Sequence, residues 1–196
     1  MLKSSGIWGS GLDTLLNELR TVLRTSHESF PVQELDKVMA ARGKSLKFGD
    51  EEIEDLLNLE YGNRKIFPLL SVLYPFIDVK QLHHVDHVYP KGLLTRGRLE
   101  RAGVDEETAE KCFEARNYLP NLQLLEGLLN ITKSDTPPAD WMITSYPDEV
   151  TRQAYVDRHD LGHVPRNASE FPDFLEARRE KIRLKFVALL SVNESG

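Results

Sequence analysis

Sequence able to form a β-strand is scarce in this chain, confined to Leu82 to Val88, stopped by Pro90, and Leu122 to Leu125 after Pro120. Two runs of that length make one small hairpin, so the expectation is an α+β fold that is mainly α-helical. Leu12, Leu15, Leu16, Leu19, Val22 and Leu23 recur at helical spacing, with Ser10 or Asp13 placed to cap the start. Pro31 opens a second helix and Gly43 ends it. Asp50 is the expected cap of a third, whose apolar side is Ile53, Leu56 and Leu57. Its acidic residues Glu51, Glu52, Glu54 and Asp55 are expected to face solvent. Ile66 to Leu73 is nearly all apolar and reads as a buried helix ended by Pro75. Downstream, helices are predicted from Asp105 to about Asn117, over Gly127 to Lys133, and over about 148–158 and 170–190, with Pro137-Pro138 as a break. The last carries an apolar stripe of Phe174, Leu175, Ile182, Phe186 and Leu189.

The 196 residues suit one sizeable domain, or a domain with a helical appendage. No run approaches the roughly 18 consecutive apolar residues of a membrane span. Cys112 is the single cysteine, which excludes an internal disulfide and any zinc site built on a cysteine pair. The opening Met1-Leu2-Lys3 does not read as a secretory signal, and a reduced, cytoplasmic compartment is the expectation. A net charge of −6 argues against a protein that coats nucleic acid non-specifically. Locally the balance reverses: over 91–104, Lys91, Arg96, Arg98 and Arg101 face Glu100 alone.

Chemistry concentrates in His83-His84-Val85-Asp86-His87-Val88-Tyr89-Pro90. A carboxylate beside an imidazole at the end of a strand pairs a ligand for a hard divalent cation with a base that works near neutral pH. Phosphodiester hydrolysis needs both functions. Downstream, Asn121 opens the second strand, where its amide can bond across the hairpin loop and hold the base. Asn130 falls one turn into the next helix, and Lys133 lies three residues on, near the same face.

Strand with Asp-His, strand with Asn, then helix with Asn and Lys resembles an HNH endonuclease of the ββα-metal class. The nine-residue step from Asn121 to Asn130 and the Asn-x-x-Lys-Ser-Asp ending also resemble the HNH domain of RNA-guided DNA nucleases. More widely, SGIWGSGLDTLLNELR, YGNRKIFPLLSVLYP, HVDHVYPKGLL, LPNLQLLEGLLNITKSDTPPADW and FPDFLEARREKI resemble the C-terminal half of bacterial GmrSD-type restriction and antiphage proteins. That resemblance implies an Mg²⁺-dependent (or Mn²⁺-dependent) DNA endonuclease acting as a defence effector. It gives His87 the role of general base, Asp86 and Asn130 those of metal ligands, and Asn121 that of positioning the base. Lys133 would contact phosphate, and His84 is a further candidate for metal or phosphate. An N-terminal nucleotidase and sensing half, or a partner subunit, is expected to lie outside this chain. Pairing of two copies is left open, as is whether the DNA carries a modification.

The resemblance divides the chain into a helical part over 1–80, an HNH core over 81–142 and a helical part over 143–196. The 34 positions between His87 and Asn121 exceed a compact hairpin, so the basic insert over 91–118 is expected to pack outside the site. Paired Cys-x-x-Cys knuckles are missing, so flanking helices must brace the motif. Arg178 and Arg179, on the basic side of the last helix, join Lys91, Arg96, Arg98 and Arg101 as candidate DNA-backbone contacts. His159 and His163 are spaced four apart, but Gly162 and Pro165 argue against a metal-binding helix there. Trp8, Trp141 and Cys112 read as packing residues. The alternative function is a non-catalytic helical module that binds DNA or docks on a partner.

Overall fold

The computed structural model describes residues 11–26, 30–43, 48–78 and 80–190. It is mostly helical, with one small sheet. The helices are α1 (Leu12–Thr25), α2 (Val32–Ala40), α3 (Asp50–Leu57), α4 (Ile66–Leu73), α5 (Arg96–Arg101), α6 (Glu106–Ala115), α7 (Gly127–Lys133), α8 (Pro138–Ser145), α9 (Glu149–Arg158) and α10 (Phe171–Leu190). Strand β1 (His83–His87) pairs antiparallel with β2 (Leu122–Glu126), placing His83 opposite Glu126, Asp86 opposite Gln123 and His87 opposite Leu122. Among the described residues no helix is long and apolar enough to cross a membrane.

The N-terminal helices form one compact unit and residues 54–188 another. In the first, α1 and α2 pack together and bury Leu15, Leu35 and Met39. Arg42 clamps Glu18 with bonds of 2.7 and 3.1 Å. Ser10 and Trp8 lie outside the described residues; Gly11 (φ +90°) precedes α1 without a side-chain cap. Asp50 is the first residue of α3 rather than its cap, and Glu52 instead accepts from the Gly49 N–H at 2.8 Å.

The second unit holds the hairpin. β2 buries Leu122, Leu124 and Leu125, with α4 packed against it. Asp105 and Asp148 cap α6 and α9, accepting from Thr108 N–H at 3.0 Å and Thr151 N–H at 2.8 Å. The expected break before Pro138 is present, with residues 134–137 outside any helix, but Pro138 also opens a helix not expected, α8, where a proline's missing N–H costs nothing; α8 buries Trp141 and Met142. The 91–118 insert, expected to pack outside the site, brings Asn117 against His87; its Leu94, Leu99, Ala109 and Cys112 join Phe171 and Trp141 in the main core, and burial pushes the Cys112 thiol up to about 11. In α10 the apolar stripe runs through Phe174, Ile182 and Phe186, while Leu189 is half exposed.

Glu54 also departs from expectation. Instead of facing solvent it accepts from Arg179 at 2.5 Å and pairs with Arg183, tying α3 to α10.

Candidate functional site

The hairpin presents different chemistry on its two sides because successive side chains of a strand alternate. Beyond β1 the pairing continues: Val88 N–H donates to the Asn121 carbonyl at 2.8 Å. The fully buried Asn121 side chain then brackets Tyr89, accepting from its N–H at 2.9 Å and donating to its carbonyl at 3.0 Å. A third bond runs from Asn121 Nδ2 to the Arg116 carbonyl at 2.8 Å. Asn121 thus bonds across the hairpin loop, two residues beyond His87, without touching the imidazole.

On one side lies Asp86. Its Oδ2 accepts from Lys133 Nζ at 2.7 Å and from Gln123 Nε2 at 3.1 Å, while Oδ1 has no partner among the described residues. The Asp86 side chain keeps 17 % of its surface exposed, that of Lys133 1 %. Lys133 Nζ also donates to the His87 carbonyl. Burial pushes the Lys133 ammonium below the usual lysine range, opposed by the Asp86 charge. The expectation that Lys133 meets phosphate is therefore corrected: it is a buried internal cation that fixes Asp86. Asn130 stands one turn earlier on the same face of α7, half-buried. His84, exposed, shares the Asp86 face of β1 and stands beside Gly127 at the start of α7.

His87 faces the other way. Leu119 N–H bonds the Leu59 carbonyl at 2.9 Å and Tyr61 N–H the Asn117 carbonyl at 2.8 Å, which brings residues 59–61 alongside 117–119. That pairing sets the Tyr61 ring 4.7 Å from the imidazole and Asn117 Oδ1 3.0 Å from its Nε2. The imidazole is 7 % exposed, and burial holds its pKa below the usual histidine value, against the pull of Asn117 and Asp86. His87 is thus neutral at pH 7, with Nε2–H donating to Asn117 and Nδ1 left as the accepting nitrogen. Lys91 Nζ stands over Tyr61, 5.3 Å from its centroid.

Arg178, expected on a DNA-facing surface, is 1 % exposed. Its Nη1 donates to the Pro120 and Leu122 carbonyls at 2.7 and 3.0 Å, and Nη2 to the Tyr74 hydroxyl at 3.5 Å. Arg179 is likewise engaged, with Glu54 and, at 2.9 Å, Asn58. These corrections share one cause: α10 turns arginines inward because β2 and α3 offer acceptors there. Lys91, Arg96, Arg98 and Arg101 do reach solvent, Arg96 paired with Glu110 at 2.5 Å and stacked 3.7 Å over Phe113.

His163 is exposed and pairs with Glu170 at 2.9 Å. His159, by contrast, is buried in an aromatic stack, 4.1 Å from Tyr155 and 5.1 Å from Phe76, and its Nδ1 has no partner among the described residues. Burial, with Arg178, Arg158 and Lys185 nearby, lowers its pKa to about 3. Between roughly pH 6.5 and 3 the unfolded chain therefore binds a proton that the folded chain refuses, so stability falls as pH falls through that window. From pH 7 to 5 the parent should lose about 2 kcal/mol more than His159→Phe. Urea midpoints of both proteins at the two pH values check this.

Asn117, Gln123, Tyr155 and Tyr61 were not anticipated. Gln123 carried a signal, as a polar residue set among the leucines of a strand, which needs a buried partner. The others meet the site through loop pairing and helix packing, which leave no periodic trace. Among the described residues no three His, Cys, Asp or Glu side chains gather as a metal cage. Asp86 Oδ1 and the amide oxygen of Asn130, on the α7 face that also carries Lys133, are the residues that would take a hard cation keeping most of its waters. Compared with known proteins, the chain matches no family model and no curated protein, so the HNH and GmrSD-type resemblance rests on the motifs quoted above.

Proposed function

We propose that this chain is a Mg²⁺- or Mn²⁺-dependent DNA endonuclease module of the ββα-metal kind, serving a restriction or antiphage system with a sensing half or partner subunit. One observation supports the reading: on β1 a neutral imidazole, gripped at Nε2, is the residue after a part-exposed aspartate whose Oδ1 has no partner among the described residues. A divalent cation held by Asp86 and Asn130 would neutralise charge on the scissile phosphate and the departing oxygen. His87 Nδ1 takes the proton from the attacking water as the new O–P bond forms. The P–O3′ bond breaks and the departing O3′ takes a proton from solvent, leaving a 3′ hydroxyl and a 5′ phosphate. Asn117 keeps the ring in the required tautomer, and Asn121 fixes the loop that follows. Lys91, Arg96, Arg98 and Arg101 are the exposed cations for the DNA backbone, which positions a duplex without reading its sequence.

Nicking of supercoiled plasmid by the purified chain tests this. The parent should nick with Mg²⁺ or Mn²⁺, stop with EDTA, and lose activity in Asp86→Ala. Metal-independent nicking, or nicking equal in parent and Asp86→Ala, would sink the proposal.

A further inference from the structure

The Asp86 carboxylate is held from behind by a chain of buried polar groups reaching to α9. Tyr155 donates its hydroxyl to Gln123 Oε1 at 3.1 Å, and Gln123 Nε2 donates to Asp86 Oδ2 at 3.1 Å. Gln123 is 1 % exposed, so neither end of its amide has water as a substitute partner. The Tyr155 ring is locked between His159 at 4.1 Å and Tyr146 at 4.8 Å, which fixes where its hydroxyl points. Burial raises the Tyr155 pKa far above the usual phenol value, so the hydroxyl keeps a proton to donate. The acceptor-only carboxylate sets the direction of the amide: its NH₂ faces Asp86, which leaves its oxygen to accept from Tyr155. Reversed, the amide would set an oxygen against the carboxylate and lose the Tyr155 bond to its oxygen.

Resting on the nuclease reading, we propose that Gln123 and Tyr155 are positioning residues for Asp86. With Lys133 they saturate Oδ2 and reserve Oδ1, in one orientation, for a divalent cation. Lys133 supplies the neutralising charge, and the Tyr155–Gln123 pair supplies the direction. Tyr155 acts only through Gln123, so its removal frees the amide to rotate and the carboxylate to turn with it. Outer-shell partners of this type typically change metal affinity or activity by about 10–100-fold.

The test uses the full chain with Mn²⁺ alone, bound ion read by electron paramagnetic resonance, beside single-turnover nicking. Gln123→Met and Tyr155→Phe, the second a loss of one oxygen, should each weaken Mn²⁺ binding and slow nicking by about tenfold or more. KM for plasmid should stay within twofold, since neither side chain meets DNA. The double variant should be no worse than Gln123→Met, because residues acting in series do not add. Additive losses, or Mn²⁺ affinity within twofold of the parent in both single variants, overturn the positioning role. Should Asp86→Ala bind Mn²⁺ as the parent does, the nuclease reading fails and this inference with it. Should Asp86→Ala abolish binding while Gln123→Met does not, only the inference fails.

Discussion

Replacing His87 by alanine is expected to lower the single-turnover rate of plasmid nicking by about 10²–10⁴-fold, the usual cost of losing a general base. DNA affinity should hardly change, because the imidazole is almost sealed from solvent and carries no charge at pH 7. Truncation leaves a gap beside Tyr61 and frees Asn117, so the urea midpoint will drop. Measuring the rate well below that midpoint separates lost chemistry from lost fold. Imidazole added to His87→Gly should restore part of the rate by filling the same gap. If His87→Ala nicks as fast as the parent, His87 is not the base; if the parent itself does not nick, the helical docking module becomes the better reading.

The largest effect on stability belongs to Arg178. Its guanidinium satisfies two carbonyls at the entrance to β2 and reaches the Tyr74 hydroxyl from the middle of α10. Arg178→Met keeps the bulk of the side chain but removes every one of those bonds. Hydrogen bonds from a charged donor are worth about 1.5–3 kcal/mol each, and the orphaned carbonyls stay buried. A loss of about 3–5 kcal/mol is expected, set against the 5–15 kcal/mol by which folded domains are usually stable. Urea unfolding measures it. Under conditions where the variant is folded, its DNA affinity and the salt dependence of that affinity should match the parent, since the residue never reaches solvent. A surface arginine would give the opposite pattern, with unchanged stability and a flatter salt dependence.

Arg178 also marks where reading the sequence runs out. Most of the helices and the two strand segments were legible because apolar periodicity and capping residues are local signals: Asp105 and the Ile66–Leu73 run needed no tertiary information, whereas α5 and α8 were missed. The side on which a long cation points is not local. Arg178 and Lys133 sit on helices where a solvated cation is the ordinary outcome, and both were drawn inward by acceptors contributed from elsewhere in the sequence. The same reasoning accounts for Asn117 and Tyr155, which lie 30 residues from His87 and 32 from Gln123 and meet them only through packing. Asn121 was legible in its job, tying the loop, because a buried amide at a strand entrance has few other uses. Pro138 told half of its story: proline marks both the break after one helix and the first turn of the next, and the helix it opens, which buries Trp141, was missed.

Trp141 gives the molecule an optical handle on the Asp86 side of the hairpin. Its indole lies 6.0 Å from the Tyr155 ring and 5.9 Å from that of Tyr146, and the Lys133 ammonium stands 6.0 Å from its centroid. Excitation absorbed by either tyrosine therefore passes to the indole, whose emission colour and intensity respond to the position of the nearby ammonium charge. With Trp8 replaced by phenylalanine, the remaining fluorescence comes from one tryptophan buried beside the Lys133–Asp86 pair. Any event that draws Asp86 away from Lys133 alters the electric field across that ring and registers as a change in light, with no dye, label or turnover required.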